Sequence, residues 1–250
     1  IDGQKYSIIT DETLIKIYKV REERLRAGFS DIAHIIYLNL YKQLLIIKKV
    51  SGESLRFYHQ NHFEYDAKKV ASLLHECLLK VHQPIEYASV SSHFENANWC
   101  EQVTSYTTGH IDYLTERNLL SMENKNIILS FLKEHTKNLE EAHVCLLHGD
   151  LNDETVCYNS STNEVELRKV ENVMAGDIVY EYTRMWQYRD LDVFDTYLKL
   201  YCKDIEKEAV FPFYIVYFHL MTFVYEHMND YNYTSTKNNL DQSILNLKKN

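Results

Sequence analysis

A chain of 250 residues with 45% hydrophobic and 25% charged side chains can bury a real core without disulfide staples, and that balance excludes disordered and collagen-like classes. The 27 Lys and Arg against 36 Asp and Glu give a formal charge of −9, which argues against a general nucleic-acid binder, whose affinity rests on basic residues neutralising phosphates. Six Gly and two Pro are too few for an all-β chain with many tight turns and suit a helix-rich one.

Strand signals dominate the first fifty or so residues. Lys5–Ile9 and Thr13–Lys19 flank a turn at Thr10-Asp11-Glu12, while His34–Asn39 and Gln43–Val50 form a second pair joined near Leu40-Tyr41-Lys42. Between the pairs, Arg21–Gly28 has room for about two helical turns. Val70, Leu73, Leu74, Cys77, Leu78 and Val81 recur at helical spacing and predict a helix over Phe63–Val81; Ile111–Leu139 holds two more helical stretches. Strands return at His143–Leu147, then at Thr155–Tyr158 and Glu164–Val170, which read as a hairpin across the polar turn Asn159–Asn163. Asp177 is placed to cap the helix after it. Helices are predicted at Ile178–Tyr188, Leu191–Cys202 and Phe211–Met228, the last with Pro212 in its first turn, where a missing N–H costs nothing. A lysine- and asparagine-rich tail closes the chain.

Cys77, Cys100, Cys145, Cys157 and Cys202 stand apart, without a CxxC pair, and read as reduced, packed thiols of a cytoplasmic protein. No N-terminal stretch has the form of a signal peptide, and the longest apolar run, Phe211–Tyr225, is too short to span a bilayer, so no membrane role is expected. The 12 His show no HExxH spacing, and no GxSxG elbow, Walker loop or Rossmann loop is present. From Asp150 onward 17 acidic residues face 10 basic ones, a charge that could steer a cationic ligand or simply solvate helix faces.

Leu146-Leu147-His148-Gly149-Asp150-Leu151 sets a carboxylate on a tight turn after a short apolar strand, where a substrate can reach it. Nineteen residues after Asp150 comes Lys169-Val170-Glu171-Asn172-Val173-Met174-Ala175-Gly176-Asp177. The arrangement resembles the aminoglycoside phosphotransferase and choline kinase-like family, whose pattern is an HGDLxxxN catalytic loop, a hairpin and an IDxxxxxxGD segment. Thr13–Tyr18 is similar to the strand whose lysine, here Lys16, holds the nucleotide phosphates. Leu44–Leu55 is similar to the hinge strand LLxEyixGxxL, and Leu79–Pro84 to the LH-containing helix end. The resemblance runs along essentially the whole chain. It implies an α+β, bilobal protein-kinase-like fold, with a small β-rich nucleotide-binding N-lobe over residues 1–52 and a larger helical C-lobe over 53–250. ATP or GTP is the implied cofactor. Asp150 is the implied catalytic base and His148 the residue that braces its turn; Lys16, Lys48, Lys49, Val50 and Lys169 are the implied nucleotide contacts.

Two departures weigh on the chemistry. The catalytic-loop metal ligand, Asn in the family, is Thr155, and the Asp of the IDxxx segment is Lys169. An ammonium repels Mg²⁺, which wants oxygen ligands in octahedral geometry. Glu171 shares a strand face with Lys169 and either makes a plain surface pair with it, the reading favoured here, or offers one substitute carboxylate; Asn152, Asp153 and Glu154 offer others; Lys169 could also pair with a phosphate directly. The sequence therefore points to a pseudokinase with impaired Mg-dependent transfer that binds a nucleotide or a protein partner. The alternative is an active phosphotransferase acting on a hydroxyl of a small, cationic molecule.

Overall fold

The structure, a computed structural model, describes residues 6–9, 35–39, 44–48, 51–82, 98–168 and 174–248, the first three stretches as main chain. In chain order the elements are β1 (Tyr6–Ile9), β2 (Ile35–Asn39), β3 (Leu44–Lys48), β4 (Glu53–Ser54), α1 (Leu55–Gln60), α2 (Ala67–Val81), α3 (Trp99–Glu116), α4 (Met122–Glu134) and α5 (Thr136–Glu140). There follow β5 (Val144–Leu147), β6 (Val156–Asn159), β7 (Glu164–Leu167), β8 (Met174–Asp177), α6 (Ile178–Gln187), α7 (Asp192–Tyr201), a 3₁₀ turn (Ile205–Lys207), α8 (Phe211–Met228) and α9 (Thr234–Leu247). They fall into two compact units, each built from three chain segments: 1–85, 145–175 and 188–203 form one, and 86–144, 176–187 and 204–250 the other.

In the first unit, β1, β3 and β2 form an antiparallel sheet in that order, with Ile9 opposite Leu45 and Asn39 opposite Leu44. The β2–β3 pairing is the second hairpin expected from the sequence. The expected strand Thr13–Lys19, the turn before it and the segment Arg21–Gly28 lie outside the described residues. A second antiparallel sheet runs β4-β6-β7, and the predicted hairpin is present, with Asn159 opposite Glu164 and Val156 opposite Leu167. The Asn159 side-chain oxygen accepts the N–H groups of Ser161 and Thr162, and Asn163 takes the left-handed conformation (φ 55°) that Asn tolerates.

Helix α2 begins four residues later than its apolar spacing suggests, because Asp66 caps it by accepting the Lys69 N–H at 3.1 Å. Its stripe of Val70, Leu74, Leu78 and Val81 is wholly buried. Helix α7 packs on α2, with the Tyr201 ring stacked on His75 at 3.8 Å.

The second unit is helical. Its centre is α8, apolar on all sides, with Phe213, Tyr214, Val216, Phe218, Leu220 and Phe223 at 0–1% exposure, and Pro212 lies in its first turn as expected. Helix α3 starts twelve residues before the predicted Ile111, where Asn98 caps it by accepting the Glu101 N–H at 2.8 Å. The expected polar tail is instead helix α9: Leu240, Ser243, Ile244 and Leu247 are buried at i, i+3, i+4 and i+7 among the lysines and asparagines. Strands β5 and β8 pair as a two-stranded sheet, an element the sequence did not signal at β8. Among the described residues no helix is long and apolar enough to cross a membrane.

Candidate functional site

The His-Gly-Asp turn follows directly on β5, whose Cys145, Leu146 and Leu147 are buried and fix where the turn emerges. Gly149 has φ 83°, a conformation side chains rarely adopt, so glycine lets the chain reverse there. His148 is wholly buried and both ring nitrogens meet main-chain groups. Its Nε2 lies 2.8 Å from the Arg168 carbonyl, which can only accept, and its Nδ1 accepts the Asp150 N–H at 3.3 Å. The ring hydrogen therefore sits on Nε2, and the imidazole ties the turn to the end of the hairpin. Asp150 is half-buried at the exit of this brace.

The next residues close on themselves. The Thr155 hydroxyl accepts the Asn152 N–H at 2.9 Å and has its own hydrogen directed at the carbonyls of Asp150 (2.9 Å) and Asn152 (3.1 Å). The Asn152 side-chain oxygen accepts the N–H groups of Glu154 (2.9 Å) and Thr155 (3.2 Å), and its amide donates to the Asp150 carbonyl at 3.1 Å. Arg56, at the start of α1, grips the far side: Nε and Nη2 donate to the two oxygens of Asp153 at 2.9 Å, and Nη1 donates to the Glu154 carboxylate. The Arg56 N–H also donates to the Asp153 carbonyl at 2.8 Å. The Asp153 hydrogen bond and the nearby carboxylates hold the Arg56 guanidinium above its ordinary pKa.

Magnesium asks for about six oxygens in near-ideal octahedral array. The Thr155 hydroxyl, 0% exposed, is committed to its own loop, the Asn152 side-chain oxygen already accepts two N–H groups, and both Asp153 oxygens face the Arg56 cation that would compete with a metal, so these three side chains do not fit the ion as they stand. Among the described residues no group of three or more His, Cys, Asp and Glu is placed to hold a metal. Lys16, Lys49, Val50, Lys169 and Glu171 lie outside the described residues, and Lys48 is described only as main chain at the end of β3.

Sequence reasoning missed Arg56, which follows the hinge-like segment by one residue and belongs to no motif. Replacing Arg56 by alanine should lower unfolding stability by about 1 kcal/mol, modest because the guanidinium is partly exposed. Urea titrations of Arg56→Ala, Asp153→Ala and the double variant check it. The double variant should lose little more than either single one, since one interaction is removed each time.

The hinge-like segment is fastened as well. Ser51 donates through its N–H (2.7 Å) and hydroxyl (3.0 Å) to one carboxylate oxygen of Glu166 on β7. Asp177 caps α6, as expected, by accepting the Val179 N–H at 3.0 Å. It also accepts the Tyr214 hydroxyl at 2.7 Å, and that hydroxyl accepts the Trp99 indole N–H at 2.9 Å. Burial holds the Asp177 carboxyl above its ordinary pKa, against the pull of those two donors. Glu181 is buried at 1% exposure. Burial also pushes the Cys77 and Cys157 thiols up to about 11, which leaves them poor nucleophiles.

No family model matches the sequence, and no curated protein matches it significantly. The fold does match solved structures along nearly its whole length. The gentamicin complex of APH(2'')-IIa aligns with a TM-score of 0.64 at 17% identity, covering 100% of this chain and 86% of that one. A thermostable mutant of aminoglycoside phosphotransferase APH(4)-Ia aligns at 0.69 and 12% identity, covering 98% and 88%. The GDP complex of aminoglycoside 2'-phosphotransferase-IIIa aligns at 0.69 and 12%, covering 98% and 87%. The chain thus has the α+β, bilobal kinase-like fold of the aminoglycoside phosphotransferases, and the resemblance seen in its motifs holds at the level of that fold.

Proposed function

We propose that this chain is a pseudokinase: a kinase-like protein that keeps a site for a nucleotide or a protein partner while ordinary Mg-dependent phosphoryl transfer is lost. The observation that carries the reading is Thr155, whose buried hydroxyl is consumed by the loop's own main chain where a metal ligand belongs in the family. A kinase transition state spreads negative charge over the transferred group, and preorganised cations must stabilise it. Lys169 at the second ligand position would repel the ion that supplies them.

In this reading residues 1–52 form the nucleotide lobe. Lys16 and Lys169 pair with phosphates, Lys48, Lys49 and Val50 offer main-chain groups to the base, and Asp150 keeps the place of the catalytic base. Similar structures hold ADP with hygromycin B, ADP, and GDP, which supports ATP or GTP as the nucleotide. The work is assigned to the cytoplasm. A second reading, active transfer to a hydroxyl of a small cationic molecule, draws on the intact His148–Asp150 brace and on neighbours bound to gentamicin and hygromycin B.

Thermal melting with ATP or GTP, with and without Mg²⁺, separates the two. The expected result is nucleotide stabilisation that does not depend on Mg²⁺, with turnover far below the roughly 1–100 per second of kinases. Thr155→Asn combined with Lys169→Asp should make the shift metal-dependent. Ordinary kinase turnover by the parent protein would establish the second reading and leave Glu171 as the leading metal ligand.

A further inference from the structure

The helical unit holds a concavity built without any residue of the loop 148–155. Helices α6, α8 and α9 and the 3₁₀ turn surround a cleft of about 500 Å³, lined in part by Trp186, Glu206, Phe211, Ile215, His219 and Gln242. That volume lies within the roughly 300–1,000 Å³ range of small-molecule sites. Two aromatic rings make one wall: Trp186 meets Phe211 edge-on at 5.3 Å. The indole is held in place because its N–H donates to one Glu206 oxygen at 2.6 Å. The second Glu206 oxygen makes no hydrogen bond among the described residues, and Glu206 is the one formally charged residue of the lining.

His219 supplies the other polar point, and its tautomer can be deduced. The Ser243 hydroxyl donates its single hydrogen to the Asn239 carbonyl at 2.8 Å, so at its 2.9 Å contact with His219 Nδ1 the serine oxygen must accept. The imidazole hydrogen is therefore on Nδ1, and Nε2 is left as an acceptor with no hydrogen bond among the described residues. Burial, with Arg184 adding to it, lowers the His219 pKa and favours this neutral ring. An acceptor nitrogen, a carboxylate and an aromatic wall converge on one cleft.

We infer that this cleft binds a small aromatic amine. Its flat ring lies on either the Trp186 or the Phe211 ring and meets the other edge-on, a ring N–H donates to His219 Nε2, and its ammonium pairs with Glu206. The site is independent of the pseudokinase reading, because neither nucleotide nor Mg²⁺ takes part.

Calorimetry with three indoles of one shape tests it, in buffer free of nucleotide and metal: tryptamine (ammonium), tryptophol (neutral hydroxyl) and indole-3-acetate (anion). Tryptamine should bind at least threefold more tightly than tryptophol, and indole-3-acetate should not bind. Glu206→Gln, on an exposed residue that should leave folding intact, should bring tryptamine down to the level of tryptophol. His219→Phe should weaken tryptamine about tenfold, and Ile215→Trp should abolish binding by filling the cleft. The inference is overturned if none of the three binds at millimolar concentration, if indole-3-acetate binds as well as tryptamine, or if Ile215→Trp and Glu206→Gln leave tryptamine binding unchanged.

Discussion

Tyr214→Phe should cost about 3 kcal/mol of unfolding free energy, although it removes a single oxygen. That oxygen is wholly buried and sits between two groups that cannot turn elsewhere. Without it the Trp99 indole N–H loses its acceptor, and the Asp177 carboxylate loses one of its two donors. Each buried polar group left unsatisfied costs about 1–3 kcal/mol, more when it is charged. The deficit should also depend on pH with a definite sign. Asp177 already titrates above its ordinary value, so its burial weakens the fold as pH rises through the folded-state pKa and costs nothing once it is protonated. Removing a donor to the charged form raises that pKa further, so the gap between variant and parent should narrow as pH falls. Urea unfolding across the acidic range measures both effects. Tyr225→Phe, at an exposed tyrosine, serves as the control and should change stability by less than about 0.5 kcal/mol.

Two glycines should respond to the same substitution in opposite directions. A Cβ on Gly52 would stand 2.6 Å from the Tyr158 carbonyl carbon, 2.7 Å from its oxygen and 2.8 Å from the Asn159 nitrogen. All three atoms are main chain of β6, which pairs with β4 one residue further on, so no side chain can swing aside. Gly52→Ala should therefore destabilise by about 2–3 kcal/mol, at the upper end of the overpacking range. It should also loosen the Ser51 hydrogen bonds to Glu166 that hold the hinge-like segment. Gly109 lies inside helix α3 with nothing within 4 Å of its Cβ position. There Gly109→Ala should raise stability by about 0.5–1 kcal/mol through helix propensity alone. Equal effects at the two positions would mean that the close approach at Gly52 is relieved by strand movement.

What the sequence made legible was local. The hairpin over Val156–Leu167 is announced by its polar turn, and helix α8 by an apolar run that opens with Phe211-Pro212. The Asp177 cap needs only its neighbour Val179. Helix α9 was hidden because four buried positions are outnumbered by Lys, Asn and other polar residues that overwhelm any window average. The starts of α2 and α3 were misplaced because Asp66 and Asn98 act through one hydrogen bond each, which leaves no periodic trace. In the site, the turn at His148–Asp150 was read from its motif. The commitment of Thr155 and Asn152 was not, because it rests on hydrogen bonds within their own loop whose geometry the motif does not carry. That of Asp153 was not either, because it depends on Arg56, about a hundred residues earlier in the chain. Charge pairs at such separation carry no signature in one sequence.

The interleaving of the two units has a consequence for synthesis. Neither is a continuous stretch: the first takes its last segment from 188–203, the second from 204–250. Helix α2 leaves the ribosome well before α7, the helix it packs against, since Ala67 precedes Asp192 by some 125 residues. At about 5–20 residues per second, that is roughly 6 to 25 seconds during which part of a finished amphipathic helix waits for its partner. The first unit thus cannot close before residue 203 has emerged, nor the second before the end of the chain, and the nascent chain carries uncovered apolar surface until late. A slowed ribosome between positions 82 and 191 would lengthen that exposure, and a holdase chaperone would have its clearest target there.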